Sequence, residues 1–231
     1  MLRIDLISAV PGLLESPLSE SIIGRARSGG HADIRVYDLR EYSKDKHRKI
    51  DDYPYGGEAG MVLTPQPIFD CIESIRKENP CDEIIFTAPD AEPFKQVHAN
   101  ELSLKDHIVI LCGHYKGVDQ RVREALVTRE FSFGDFVLSG GEIPALAITD
   151  AVVRLIPGVL GDAESALNDS FQDSLLSAPV YTRPAEFRGL TVPDILRSGN
   201  HAAVEEWRRS QALERTREIR PDLFEKRSRK K

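Results

Sequence analysis

Between Phe131 and Pro144 the chain reads F-S-F-G-D-F-V-L-S-G-G-E-I-P, followed by I-P-G-V-L-G at Ile156 to Gly161 and N-D-S-F at Asn168 to Phe171. Strand-forming Phe136, Val137 and Leu138 run straight into Ser139-Gly140-Gly141, and a helical pattern opens at Glu142. A glycine pair at a strand end lets the backbone bend sharply and approach a ligand with no Cβ in the way. The helix behind it begins with N–H groups that have no partner within the helix. These residues therefore make a ligand-binding corner.

Other common chemistries find no support. No G-x-G-x-x-G follows the first apolar run and no G-x-x-x-x-G-K-[ST] occurs, so neither a dinucleotide fingerprint nor a phosphate loop is present. Cys71, Cys81 and Cys112 form no C-x-x-C pair, which argues against a zinc site or a disulfide framework. Reduced thiols fit the cytoplasm. No two of the six histidines have metal-ligand spacing, so no bound transition metal is expected.

With 41% hydrophobic and 29% charged residues, the composition is that of an ordinary soluble globular protein. No apolar run approaches the roughly 20 residues of a membrane span, and no membrane partner is expected. The opening L-R-I-D-L-I-S-A-V carries Arg3 and Asp5 inside its apolar pattern and reads as a first strand, not a signal peptide. Net charge is −6, but Val180 to Lys231 holds 13 Lys/Arg against 8 Asp/Glu. That segment is +5, which leaves −11 for the rest. A basic segment on an acidic body can bind phosphate, because binding follows local potential more than total charge. The final E-K-R-S-R-K-K reads as a solvated, frayed tail.

Further segments carry a resemblance: D-D-Y-P-Y-G-G-E-A-G-M (Asp51 to Met61), C-G-H-Y-K-G-V-D-Q-R-V (Cys112 to Val122), Y-T-R-P (Tyr181 to Pro184) and S-G-N-H (Ser198 to His201). Together with the corner motif, in this order and spacing, the chain resembles the bacterial tRNA (guanine-N1)-methyltransferase family (TrmD) of the knotted SPOUT class. The resemblance implies an α/β fold: a knotted SPOUT-type parallel sheet with helices on both faces, plus a small helical C-terminal domain. It implies methyl transfer from S-adenosyl-L-methionine to N1 of the tRNA guanosine immediately 3′ of the anticodon (position 37). Two other readings stand beside it: a SPOUT methyltransferase of ribosomal RNA, and an RNA-binding relative without catalysis.

By that resemblance the cofactor pocket comprises Thr87, Ala88, Pro89, Gly113, Tyr115, Ser132, Phe133, Gly134, Leu138, Gly140, Gly141 and Pro144. Asp169 would take the N1 proton, and Arg154 would stabilise charge on the guanine O6. Taken alone, Asp169 reads equally as a helix cap and Arg154 as a residue placed for the helix dipole. The family's active site takes the knot from one subunit of a homodimer and Asp169 with Arg154 from the other. The chain departs from the family in three places. Lys116 stands where an acidic residue is usual, Phe136 where tyrosine is common, and Glu58-Ala59 where small residues are usual. Lys116 puts the family's magnesium ion in doubt here. Lys44, Lys46, His47, Arg48 and Lys49 form a candidate RNA-backbone contact, while His114 and His201 read as structural or RNA-contacting.

The elements that must position these residues follow from periodicity. Strands are predicted at Ile4–Val10, Ile34–Leu39, Glu83–Thr87, Ile108–Cys112 and Phe136–Leu138. Helices are predicted at Ser19–Ser28, Pro67–Lys77, Asn100–Leu104, Val118–Leu126 and Glu142–Leu155. Alternation of this kind gives a parallel sheet covered on both faces, with ligands beyond the carboxyl ends of its strands. Ile156-Pro157-Gly158 should stop the long helix. The expected organisation is a cofactor domain over 1–160, a flexible linker over 161–170 and a helical tRNA-binding domain over 171–231. In the last, Asn200 caps a helix running to about Glu218, with Ala203, Val204 and Trp207 on one stripe.

Overall fold

The structure, a computed structural model, describes residues 1–161, 169–171 and 174–228. It divides into two compact units, Met1–Ala163 and Glu164–Lys231. In the first unit the strands are β1 (Leu2–Ser8), β2 (Ala32–Asp38), β3 (Asp51–Asp52), β4 (Val62–Leu63), β5 (Glu83–Pro93), β6 (His107–Cys112) and β7 (Arg129–Ser132). Five of them form one parallel sheet in the order β2-β1-β6-β5-β7, while β3 and β4 pair as an antiparallel hairpin. The helices are α1 (Gly12–Ser19), α2 (Ser21–Ser28), α3 (Pro65–Glu78), α4 (Gln96–Leu102), α5 (Gln120–Ala125) and α6 (Glu142–Val153).

Side chains alternate across a strand, so a strand buried on both faces is apolar throughout. Leu2, Ile4 and Leu6 of β1 and Ile108 and Ile110 of β6 meet Leu14, Leu18, Ala26, Ile148 and Val152 from α1, α2 and α6. On the opposite face Ile7, Val109, Leu111 and Phe86 meet Ile68, Ile72 and Ile75 of α3 and Val122 of α5. Each fully buried side chain of this size contributes about 1.5–3 kcal/mol. The exceptions in β1 are polar and answered. Asp5, fully buried, accepts from Arg3 Nε at 3.0 Å and lies 2.9 Å from His107 Nε2. Arg3 Nη2 reaches Glu78 and Tyr37, both at 3.0 Å. The bond from Arg3 and a second from Arg35 hold the Glu78 carboxyl down to about 2.

Two sequence expectations are corrected. The fifth strand is Arg129–Ser132, not Phe136–Leu138. β7 pairs with β5 only as far as Ser132, after which Gly134 at φ +144 turns the chain out of the sheet. The apolar character of Phe136, Val137 and Leu138 belongs to a loop in which they are 54%, 82% and 38% exposed. Strand propensity reports fit to a half-buried surface, and a loop wall can supply the same pattern. The expected helix over Ser19–Ser28 is α2, which begins at Ser21 after the extended Glu20, and a helix not expected from the sequence, α1, precedes it. The β3–β4 hairpin, only two residues per strand, lies below what periodicity can register.

In the second unit β8 (Glu186–Phe187) and β9 (Leu190–Thr191) form a hairpin turned by Arg188 and Gly189, with φ of +54° and +80°. That is the turn type that matches strand twist. A 3-10 turn over Asp194–Arg197 precedes α7 (His201–Ile219), and α8 (Pro221–Ser228) follows. Asn200 caps α7 by accepting from the Ala203 N–H at 3.2 Å. Of the expected linker, residues 162–168 lie outside the described residues, as do 229–231 of the basic tail.

Removing Asp5 leaves a buried guanidinium short of its anion, a loss of about 3–5 kcal/mol for a broken buried pair. Asp5→Ala should therefore lower the urea midpoint of the protein by that much stability. A shift below 1 kcal/mol would show that Glu78 alone satisfies Arg3.

Candidate active site

Three loops leave the carboxyl ends of neighbouring strands and enclose a cleft of about 210 Å³. The first is Thr87 to Asp90, where β5 bulges before resuming its pairing with β7 at Glu92. The second is Gly113 to Val118 after β6, and the third is Phe133 to Gly141 after β7. Of the expected cofactor residues, all but Gly134 line the cleft. Gly134 sits behind it, where its N–H is 3.2 Å from Ser132 Oγ and that hydroxyl donates to its carbonyl at 3.0 Å. Sequence reasoning missed Phe86, Arg123 and Phe131 as lining residues. They come from strand and helix interiors, where nothing in the local pattern marks a wall.

Gly141 is the tightest point. A Cβ built there would lie 2.0 Å from Thr87 Oγ1 and 2.7 Å from the Gly113 nitrogen, distances no side chain tolerates. Its N–H donates to Gly113 O at 2.7 Å, and its own carbonyl starts α6 by accepting from Ala145 at 2.9 Å. Next to it, His114 and Gly140 form an antiparallel bridge, so the second and third loops are stitched together. The buried Glu142 carboxylate accepts from Ser8 Oγ at 2.7 Å and faces His114 Nδ1 at 3.9 Å. Burial, reinforced by Glu142, pushes the Cys112 thiol well above its usual range, which keeps it an inert core residue rather than a nucleophile. Arg123 stacks 5.4 Å from the Phe86 ring and is held by Glu130, whose hydrogen bond raises its pKa further.

Lys116 and Glu58, two of the departures noted in the sequence, touch one another. Lys116 Nζ donates to Glu58 Oε2 at 2.6 Å, and this bond holds the Glu58 carboxyl below its usual range. Among the described residues no group of three or more His, Cys, Asp or Glu is arranged to hold a metal ion.

A family model described as tRNA (Guanine-1)-methyltransferase TrmD matches residues 2–226. The chain belongs to the TrmD family. Among its curated relatives, proteins named tRNA (guanine-N(1)-)-methyltransferase, that of Bacteroides thetaiotaomicron is 54% identical over 224 residues, 97% of this chain and 100% of its own length. That of Porphyromonas gingivalis is 55% identical over 223 residues, covering 96% and 99%. That of Chlorobaculum tepidum is 55% identical over 229 residues, covering 99% and 100%.

The two expected catalytic residues lie in different units of this TrmD-family chain. Arg154 is the C-cap of α6, its N–H bonded to Asp150 O at 3.1 Å. Asp169 belongs to the second unit, in a turn closed by Phe171 N–H to Leu175 O at 2.7 Å and by Ser170 Oγ to Ser177 Oγ at 2.9 Å. That turn is tied to α7 where Leu176 N–H donates to Thr216 Oγ1 at 2.9 Å, and Thr216 is itself fully buried. Its neighbours Ser170 and Phe171 are thus tied into the helical unit.

Gly141→Ala should abolish cofactor binding, because the third loop cannot keep its approach to Thr87 and Gly113. Calorimetric titration with S-adenosyl-L-methionine checks this. Binding within about threefold of wild type would mean that the loop spacing is not what builds the cleft.

Proposed function

We propose that the chain transfers a methyl group from S-adenosyl-L-methionine to N1 of the tRNA guanosine immediately 3′ of the anticodon. The observation that carries this reading is the family match across residues 2–226 together with the glycine-packed cleft at the strand ends. The cleft suits that donor. It has no side chain at Gly113, Gly140 or Gly141, peptide groups in three irregular loops, and apolar walls at Leu138 and Phe133. Adenine edges are read by such peptide groups, and its ring packs on such walls. When bound, the cofactor supplies a methyl group on a sulfonium, already activated for transfer.

The chain's own residues do the remaining work. Guanine N1 carries a proton at neutral pH and is a poor nucleophile until it leaves, and the Asp169 carboxylate accepts it. As N1 loses its proton, negative charge grows on O6. The Arg154 guanidinium stabilises that charge more strongly in the transition state than in the ground state. The loops thread as the family's trefoil knot, and the protein works in the cytoplasm. It is a homodimer in which one subunit's cleft is completed by the other's Asp169 and Arg154. Basic residues of α7 and α8 contribute tRNA contacts that weaken with salt. Magnesium has no assigned part. The position where the resemblance implies a carboxylate holds Lys116, and the carboxylate that reaches it, Glu58, is already compensated by that ammonium.

The test is transfer of labelled methyl to unmodified tRNA transcripts, with the guanosine beside the anticodon replaced by adenosine in the control. Asp169→Asn should cut the single-turnover rate by roughly 10²–10⁴, the worth of a positioned general base. Asn caps a turn about as well as Asp, so a residue serving only as a cap would survive the change. A rate within a few-fold of wild type, or methylation that persists on the adenosine control, contradicts the reading.

A further inference from the structure

The β3–β4 hairpin carries the most exposed aromatic residues of the first unit. Tyr55 is 101% and Tyr53 77% exposed, and Pro54 lies between them. Proline fixes its own φ and drives the preceding residue into an extended conformation. The Tyr53 N–H is further held by Asp52 Oδ1 at 2.9 Å. Tyr53 is thus displayed on restrained backbone, and Tyr55 stands two residues on, before the turn at Gly56 and Gly57. Single exposed aromatics are common and need no account. Two on one short segment, beside a basic turn, do.

The basic turn is built as firmly as the tip. Asp45 Oδ1 accepts from the His47 N–H at 2.7 Å and from the Lys49 N–H at 3.4 Å, while Asp45 O accepts from the Arg48 N–H at 2.9 Å. This wraps Lys46 to Lys49 into an exposed cationic loop that feeds directly into β3. Two of the hairpin's three acids are compensated: Asp52 pairs with Lys49 at 3.3 Å and Glu58 with Lys116 at 2.6 Å. Lys46 and Arg48 present their charge to solvent.

The hairpin is also registered to the cleft. Lys116 N–H donates to Met61 O at 3.0 Å, Leu63 N–H to Gly117 O at 3.0 Å and Asp119 N–H to Leu63 O at 3.0 Å. The stem of Lys116 lies so close over Gly60 that a Cβ there would be 2.9 Å from its Cγ. The loop that lines the cleft and the hairpin that shows the tyrosines therefore move as one piece.

Unpaired RNA is recognised by stacking bases on exposed aromatic rings beside cations that hold the backbone. We infer that the hairpin of residues 51–63 is a base-stacking platform for unpaired anticodon-loop nucleotides, with Tyr53 and Tyr55 as its stacking faces and Lys46 and Arg48 as its phosphate contacts. This rests on the proposed tRNA substrate. It adds that the bases flanking the target are gripped by the same rigid piece that forms the cofactor cleft.

The experiment measures binding of an unmodified tRNA transcript to the full chain, and binding of S-adenosylhomocysteine in parallel as a check on the cleft. Tyr53→Ala and Tyr55→Ala should each weaken RNA binding at least about fivefold, the lower end of base stacking on one aromatic side chain. Tyr53→Phe and Tyr55→Phe, which keep the ring, should stay within about twofold, and S-adenosylhomocysteine affinity should not move in any variant. A 2-aminopurine placed in the anticodon loop should be quenched by the wild type and not by the double alanine variant. Alanine variants that bind RNA like the wild type, or phenylalanine variants as weak as alanine, overturn the platform while leaving the substrate reading intact. A wild-type protein that neither binds nor methylates the transcript overturns both.

Discussion

The first unit depends on one close approach. Gly141 passes between Thr87 and Gly113 with no room for a single added carbon, and its N–H closes on Gly113 O at 2.7 Å. That contact joins the loops following β5, β6 and β7 and starts α6 at the same residue. The helix then runs back along the sheet, burying Ile148 and Val152, and delivers Arg154 at its end. Cleft, helix and cationic side chain share one geometric origin. A side chain at this glycine would press on the loops that line the cleft, whereas one at Gly140, one residue earlier, would press instead on the Glu142 carboxylate and His114.

The remaining parts are attached to this centre by separate means. Hairpin β3–β4 is laced to the second loop through backbone bonds and the Lys116–Glu58 pair. An exposed ion pair of that kind contributes little stability, so its effect is on position. The turn that follows Asp169 is anchored in the helical unit through Ser170, Ser177 and Thr216. The charge distribution agrees with this division, because positive charge is concentrated from Val180 onward while the body of the chain is acidic.

Much of this was legible in the sequence where periodicity or glycine placement leaves a signature. The strands of the sheet interior show as apolar runs, broken in β1 by Arg3 and Asp5 and confined in β5 to its first half, and α6 begins where the glycine pair ends. Of the residues expected in the cleft through motif resemblance, all but Gly134 line it, while Phe86, Arg123 and Phe131 were not foreseen. What escaped has identifiable causes. Phe136 to Leu138 look like a strand because a hydrophobic wall and a strand use the same side chains. The hairpin at residues 51–63 has too few paired residues to set up an alternation. The partnership of Lys116 with Glu58 spans 58 positions and appears in sequence only as two unrelated departures from a family pattern. Thr216, a polar residue in mid-helix, gives no sign that it accepts from Leu176.

We propose that the cleft and the proton acceptor are separate components brought together by two copies of the chain. Mixing two inactive variants tests it most directly, one changed at Gly141 and lacking a cleft, the other changed at Asp169 and lacking the base. Heterodimers formed by joint refolding should recover methyl transfer, because one of their two sites then draws an intact cleft from one subunit and an intact Asp169 from the other. Activity no greater than the sum of the two parents, in a mixture shown to contain heterodimer, would contradict the account and assign each site to a single chain.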